Sequence, residues 1–442
     1  MSAIDRTPLH AWLGRKLGLP ASSEPGPESL AAYQLDKLRH TVSYVRQHSP
    51  FYRKHLAGLP VDVLGSLPDL ARLPFTTEQD LREHHLGMLC VSQGQVARVV
   101  TLNTSGTTAA PKRLYFSDAD LETTLDFFHH GMATMVQPGG RVLILLPGAT
   151  PDSVGDLLAR ALARMQVTGV AHGPVGDPQA ALEQAVGVDC LVGIPVQVLA
   201  MAEQPGADKL RGAIKSVLLT TDYVPQALAQ RVEAAWGCEV FEHYGMTETG
   251  LGAGVDCRAH QGYHLRAADL YYEVVEPASG APLPPGEEGE LVLTTLTRSA
   301  MPLVRYRTGD LGRLLPGPCP CGGFTPRLDR VPGRLSNRLN LGKGDLLPMW
   351  LLDEALFAVP ELLDYRAALR PHDGGYRLEM TVQAAEDRHS AVAVEVERAV
   401  AAIPMLGQRL AAGDIMLEPT EISHQAWSDD GTGKRSFLST AG

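Results

Sequence analysis

Between residues 141 and 236, a short β-prone run is followed three times by a stretch with helical spacing. Arg141–Leu146 (RVLILL) precedes a helix predicted near 154–166. Cys190–Ile194 (CLVGI) precedes one near 196–203, and Ser216–Leu219 (SVLL) one near 225–236. This alternation constrains the chain to an α/β fold, with mainly parallel strands covered by helices. Residues 28–58 read as helical, with a break at Ser49-Pro50. From about 268 the pattern turns to antiparallel β: YYEVVEP, a Gly/Pro turn, then GELVLTTL. Pro316–Gly323 is too rich in Pro and Gly for anything but loop. After about 335 a smaller α+β unit begins. Its predicted strands are Asp364–Leu369 and Tyr376–Val382 about a D-G-G turn, a helix near 389–403, and a strand at Ile415–Glu421.

Composition narrows the classes of function. A net charge of −11 with no Lys/Arg block argues against nucleic acid as partner. No apolar run approaches the roughly 20 residues of a membrane helix, and the N-terminal stretch lacks a signal-like apolar core. The expectation is a cytoplasmic protein with no membrane partner. Six cysteines in 442 residues do not make a disulfide framework.

The chemistry is carried by VVTLNTSGTTAAPKRLYFS. A loop rich in hydroxyls and glycine, Thr104-Ser105-Gly106-Thr107-Thr108, lies between two β-prone runs. Successive backbone N–H groups and hydroxyls in such a loop suit phosphate oxygens, and Lys112 adds a point charge. Read alone, the same residues equally describe a polar hairpin turn. A Walker A sequence is absent.

TSGTTAAPK resembles the phosphate-loop motif of the adenylate-forming superfamily: acyl-CoA synthetases, nonribosomal adenylation domains and luciferases. Tyr244-Gly245-Met246-Thr247-Glu248, Tyr306-Arg307-Thr308-Gly309-Asp310 and Gly433-Lys434 follow in that superfamily's order. HTVSYVRQHSPFYRKHL, LPFTTEQDLREHH and TTLTRSAMPLVRYRTGDL are similar to phenylacetate–CoA ligases. The resemblance implies a large N-terminal domain over 1–334, with a β-rich subdomain, and a mobile α+β lid over 335–442. It implies ATP-dependent activation of a small, aromatic carboxylic acid as its acyl-adenylate, then transfer to the thiol of CoA. Two alternatives stand beside it: transfer to a carrier-protein thiol or an amine, and a degenerate nucleotide-binding regulatory protein. A homodimer is expected.

The resemblance also implies roles. Thr104 to Thr108 and Lys112 hold the phosphates, Glu248 helps hold Mg²⁺, and Tyr244, Gly245 and Thr247 frame the adenylate. Asp310 accepts the ribose hydroxyls, Arg334 lies near the nucleotide, and Lys434 bridges carboxylate and α-phosphate. Phe127, Pro147, Ala149, Thr221, Asp222 and Tyr244 are the expected acyl pocket, with core packing as the plain alternative for most of them.

Cys257, His264, Cys319 and Cys321, in CRAHQGYH and CPCG, offer the thiolate and imidazole ligands that suit tetrahedral Zn²⁺. The C-x₆-H and C-x-C spacings are not a standard finger pattern. Similarity to zinc-carrying relatives at both segments implies a structural zinc. His260 is the rival to His264, and free thiols in a Pro/Gly loop are the alternative.

The chain departs from the family at Ala109, where glycine is usual, and at Leu335-Ser336-Asn337, where an acidic hinge is usual. LLPGATPDSVGD (145–156) replaces the aromatic, glycine-rich stretch of phenylacetate enzymes. Phenylacetate is therefore not the expected acid.

Overall fold

A computed structural model of the chain describes residues 4–20, 24–60, 64–102, 110–372, 374–384, 389–423 and 435–438. The chain divides into two compact units, 1–171 with 241–331 and 172–240 with 332–442. The boundary expected from the sequence is a single one, at 334/335. Contacts group 172–240 with a last segment that begins at 332.

In the first unit, helix Pro27–His48 buries Leu30, Gln34, Leu38, Thr41, Val42 and Val45. These recur every three or four residues and so share one face. The helix stops at Ser49 because Pro50 has no N–H to continue it. Ser49 Oγ accepts the Tyr52 N–H at 3.2 Å and caps the next helix, Pro50–His55. Leu38, Val42, Val45, Tyr52 and Leu56 pack there with Leu296 and Val304. The strand Arg141–Ile144 runs parallel to Thr168–Ala171, with helix Val154–Ala163 between them in sequence. Leu270–Val275, Gly289–Thr295 and Tyr306–Gly312 form an antiparallel meander. Tyr263–Leu265 pairs with both Gly254–Val255 and Arg327–Leu328.

In the second unit, Cys190–Gly193 is parallel to Ser216–Leu219, with helix Pro195–Ala202 between them. Helix Gln226–Trp236 ends at Gly237, whose φ of 65° is the left-handed cap that glycine supplies without strain. Leu362–His372 and Gly375–Ala384 form the expected hairpin, longer than read. The single strand expected over 415–421 is two short ones, Ile415–Leu417 and Glu421–Ile422. Both run parallel to Gly375–Ala384, and the register slips by one residue between the Tyr376↔Ile415 and Thr381↔Glu421 pairs. Pro419 lies in the gap and has no N–H for the ladder. Among the described residues, no helix is long and apolar enough to cross a membrane.

Candidate active site

Lys112 opens the strand Lys112–Phe116, paired antiparallel with Arg98–Leu102. The loop residues Thr104 to Thr108, and Ala109, lie outside the described residues. Lys112 is only 5% exposed. Its Nζ bonds Glu248 Oε1 and lies 3.6 Å from Glu78 Oε1. The Tyr306 hydroxyl donates to the same Glu248 oxygen at 3.2 Å. Glu248 is 1% exposed, and a carboxylate that deep needs a cation and a donor to remain ionised at tolerable cost.

Local geometry delivers Glu248 to this point. The strand Glu239–Tyr244 ends in a tight turn, and Thr247–Thr249 forms one turn of 3₁₀ helix. Thr249 Oγ1 accepts the Met246 N–H at 3.2 Å and donates back to Met246 O at 2.7 Å. Gly245 admits no side chain. A Cβ there would lie 2.3 Å from Leu251 O and 2.8 Å from His243 Cε1.

One strand supplies two partners to this turn. Tyr306–Gly312 carries Tyr306, which meets Glu248, and Asp310, whose Oδ2 accepts the Tyr244 hydroxyl at 2.7 Å. The Asp310 N–H donates to Thr308 Oγ1 at 3.0 Å, and Thr308 Oγ1 donates to Leu291 O at 2.8 Å. Gly309 between them has φ 73°, a value that favours glycine. Burial, then the charges of Asp310 and Glu248, push the nearby Tyr272 hydroxyl above its ordinary range. His243, one residue before Tyr244, is held down to about 4 by burial, so its imidazole is neutral at pH 7.

The remaining expected residues sit as follows. Phe127 is 1% exposed and packs edge-on against Trp12 at 6.2 Å, in core surroundings. Pro147 and Ala149 are exposed on the loop before helix Val154–Ala163. Thr247 is half-buried, and its carbonyl accepts the Gly250 N–H at 3.0 Å. In the second unit, Thr221 has φ 82°, strained for a β-branched residue, at a cost of about 1–3 kcal/mol. Asp222 beside it accepts from Arg435, so its carboxylate is already engaged. Arg334 is half-buried in the short strand Gly333–Arg334. Lys434 lies outside the described residues. Tyr306 lies within the Tyr306–Asp310 motif, and its hydroxyl is the one signal in the sequence for its donor role. No local signal pointed to Arg435, because its partners are remote in sequence.

A second cluster lies in the first unit. The ligand atoms of Cys257, His264, Cys319 and Cys321 all fall within 4.8 Å of one another. The thiols of Cys257 and Cys319 are 3.7 Å apart, and Cys321 Sγ is 3.5 Å from His264 Nε2. Tetrahedral Zn²⁺ with Zn–S of about 2.3 Å separates its sulfurs by roughly 3.8 Å, so the donor set fits that ion. His264 Nδ1 is hydrogen-bonded to Thr325 Oγ1 at 2.5 Å, which orients Nε2 inward. The N–H groups of Ala259 and Gly323 donate to Cys257 and Cys321, each at 3.4 Å. Hydrogen bonding from Cys257 holds the Cys321 thiol far down; burial opposes this, and His264 adds to the lowering. His260 instead pairs with Asp256 Oδ2 at 2.5 Å.

Comparison with known proteins decides the family. A family model described as AMP-binding enzyme matches residues 80–297. The phenylacetate–coenzyme A ligase of Thermus thermophilus is 30% identical over 84% of this chain and 84% of its own. The chain belongs to the phenylacetate–CoA ligase family of adenylate-forming enzymes. The phenylacetate–coenzyme A ligase of Aromatoleum evansii is 31% identical over 74% of this chain and 77% of its own. A crystal structure of 2-hydroxyisobutyryl-CoA ligase in the postadenylation state, with 2-HIB-AMP, superposes with a TM-score of 0.78. It covers 93% of this chain and 91% of that one at 22% identity, which establishes the shared fold. The family member described here is an AMP-forming acid–CoA ligase: it adenylates an acid with ATP and passes the acyl group to CoA.

Proposed function

We propose that the buried Lys112–Glu248–Tyr306 cluster and the Tyr244–Asp310 pair form the nucleotide end of this ligase, acting on a small aromatic carboxylic acid. The observation that carries the reading is Glu248 at 1% exposure, with Lys112 and Tyr306 on one of its oxygens. Asp310, fixed by Tyr244, presents the carboxylate that suits ribose hydroxyls. Glu248 would hold Mg²⁺, for which a carboxylate oxygen is a fitting donor. That ion, when bound, supplies charge neutralisation at the phosphates. Lys112 would give its charge to a phosphate when ATP is bound. Thr104 to Thr108 complete the phosphate grip, and Lys434 bridges the two reacting anions from the lid, 335–442.

In the first half-reaction a carboxylate oxygen attacks the α-phosphorus. An O–P bond forms, the bond to the β-phosphate bridge breaks, and pyrophosphate leaves. The chain's task is to place two anions together and screen their repulsion. In the second, the thiol of CoA attacks the acyl carbon, the C–O bond breaks, and AMP leaves with that oxygen. The departure at 145–156 points away from phenylacetate toward another acid. Cys257, His264, Cys319 and Cys321 would hold Zn²⁺ as a structural tie between two irregular loops. A cytoplasmic setting accords with substrates such as ATP and CoA.

A screen of carboxylic acids by pyrophosphate release, with CoA, hydroxylamine or no acceptor added separately, tests the reading. Release that rises with CoA and yields acyl-CoA is expected. Release indifferent to CoA would transfer the acceptor role to another thiol or an amine.

A further inference from the structure

Arg298 follows the strand Gly289–Thr295 in the first unit and is half-buried. Its Nη1 is fully buried and has no hydrogen-bond partner among the described residues. The guanidinium carbon lies 5.0 Å from the centre of the Phe116 ring, which is itself 3% exposed. Arginine does not give up its proton inside proteins, so burial leaves a charge to be compensated. Burial, helped by the charge of Arg266, holds Arg298 down to about 10 against the pull of Asp120 and Glu248. It is still a cation at pH 7.

The carboxylates around it are engaged elsewhere. Asp120 Oδ1 accepts the Ser299 N–H at 2.7 Å and the Ser299 hydroxyl at 3.1 Å. Asp120 Oδ2 accepts the Ser117 and Ala300 N–H groups, each at 3.0 Å. Both oxygens have thus spent two lone pairs. Asp269 Oδ2 accepts Arg266 Nε at 2.7 Å, and its Oδ1 accepts the Thr297 hydroxyl at 2.9 Å. Arg266 therefore has a carboxylate of its own. Arg298 has the face of Phe116 and no carboxylate in contact. The Thr124 hydroxyl is spent as well, donating to Gly250 O at 2.8 Å.

Arg298, Arg266, Thr124, Thr297, Asp269 and Gly250 line one small cavity. The missing side chain of Gly250 keeps part of this space open. A Cβ there would lie 3.1 Å from Thr124 Oγ1, 3.3 Å from Arg298 Nη2 and 3.8 Å from Arg266 Nη1. The free volume is about 10 Å³, room for one water-sized particle. A phosphate, with five heavy atoms, does not fit. A water would meet the hydrogen-bonding need and leave the charge uncompensated; a small anion meets both. We infer that this cavity is a site for a monatomic monovalent anion, chloride or another halide, held by the Arg298 guanidinium with Arg266 Nη1 beside it. Chloride is slightly larger than water, and the flexible arginine stem gives the difference. The Gly250 N–H donates to Thr247 O at 3.0 Å and closes the turn that carries Glu248. An ion held beside Gly250 therefore steadies that turn.

The test exchanges the full-length protein into sodium gluconate, whose anion is too large for the cavity. Chloride is then titrated in at constant ionic strength, so that general screening does not change. The melting temperature should rise by about 1–3 °C for each tenfold increase in chloride beyond half-saturation. Arg298→Met keeps an apolar stem against Phe116 and removes the charge. In gluconate it should melt at or above the unaltered protein, and chloride should no longer move it. Arg298→Lys keeps the charge without the planar fork and should need roughly tenfold more chloride for the same rise. Crystals soaked in bromide should show anomalous scattering beside Arg298 Nη1. A melting temperature indifferent to chloride would overturn the inference. So would an Arg298→Met protein that follows chloride as the parent does, or one less stable than the parent in gluconate. If Arg298→Met does not fold, the parent decides alone: bromide signal absent from this cavity refutes the site. Signal there with no chloride response in solution marks an adventitious ion only and refutes it equally.

Discussion

Replacing Lys112 with methionine isolates the electrostatics at the centre of the site. The aliphatic stem is kept and the charge removed, which takes the ammonium from Glu248, a carboxylate at 1% exposure that also accepts from Tyr306. Removing one partner of a buried ion pair costs about 3–5 kcal/mol, because the other charge stays buried without compensation. Lys112 is 5% exposed, so solvent offers little relief. Glu78, 3.6 Å from Nζ and more exposed, loses little by comparison. Urea denaturation should therefore show Lys112→Met several kcal/mol less stable than the parent. In Lys112→Met/Glu248→Leu the buried carboxylate is gone together with its cation, and loss of the Tyr306–Glu248 hydrogen bond adds about 1 kcal/mol. The double variant should thus be more stable than Lys112→Met alone, with a coupling of about 2 kcal/mol or more. A loss below about 0.5 kcal/mol in Lys112→Met, or additive effects in the cycle, would refute the claim that the pair is buried and mutually required.

Further expectations follow from neighbouring features. Gly245→Ala places a methyl 2.3 Å from Leu251 O, so it should shift the 245–251 turn, lower the melting temperature and weaken ATP binding by calorimetry. His243 has a folded-state value near 4 against an unfolded value of about 6.5. Its contribution is present above pH 6.5 and is lost as pH falls toward 4, for a total of at most about 3 kcal/mol. His243→Leu should flatten that part of the stability–pH curve measured by urea unfolding. The purified protein should carry one Zn²⁺ per chain by elemental analysis. Cys319→Ser or chelation should remove it and lower thermal stability.

Local features of the fold are legible in the sequence, and contacts between distant segments are not. Lys112, Glu248 and Asp310 stand out in the sequence because each lies in a short run whose residue types would suit phosphate, metal or ribose, and the structure brings Lys112 to Glu248 and Asp310 to Tyr244. The α/β alternation was legible because apolar spacing switches sharply between 141 and 236. The helix break at Ser49-Pro50 was likewise local, since a capping serine and a proline lacking N–H act within a few residues. Contacts that depend on three-dimensional convergence were not visible. Tyr306 reaches Glu248 from 58 residues away, and Arg435 reaches Asp222 from 213 residues away. Asp222 is among the residues expected to line the acyl pocket. Its carboxylate accepts from Arg435, a contact that no periodicity encodes. Choosing between His260 and His264 needed the pairing of Arg327 with His264, which brings the imidazole strand beside the CPCG loop.

The most direct test of the acyl-adenylate itself is the fate of the acid's oxygen. An acid from the screen, labelled with ¹⁸O in both carboxylate oxygens, is turned over with ATP and CoA, and the AMP is weighed by mass spectrometry. One labelled oxygen per AMP, with acyl-CoA formed in equal amount, is the result predicted here. Unlabelled AMP, or ADP and phosphate in its place, would contradict an enzyme that activates its substrate by adenylation.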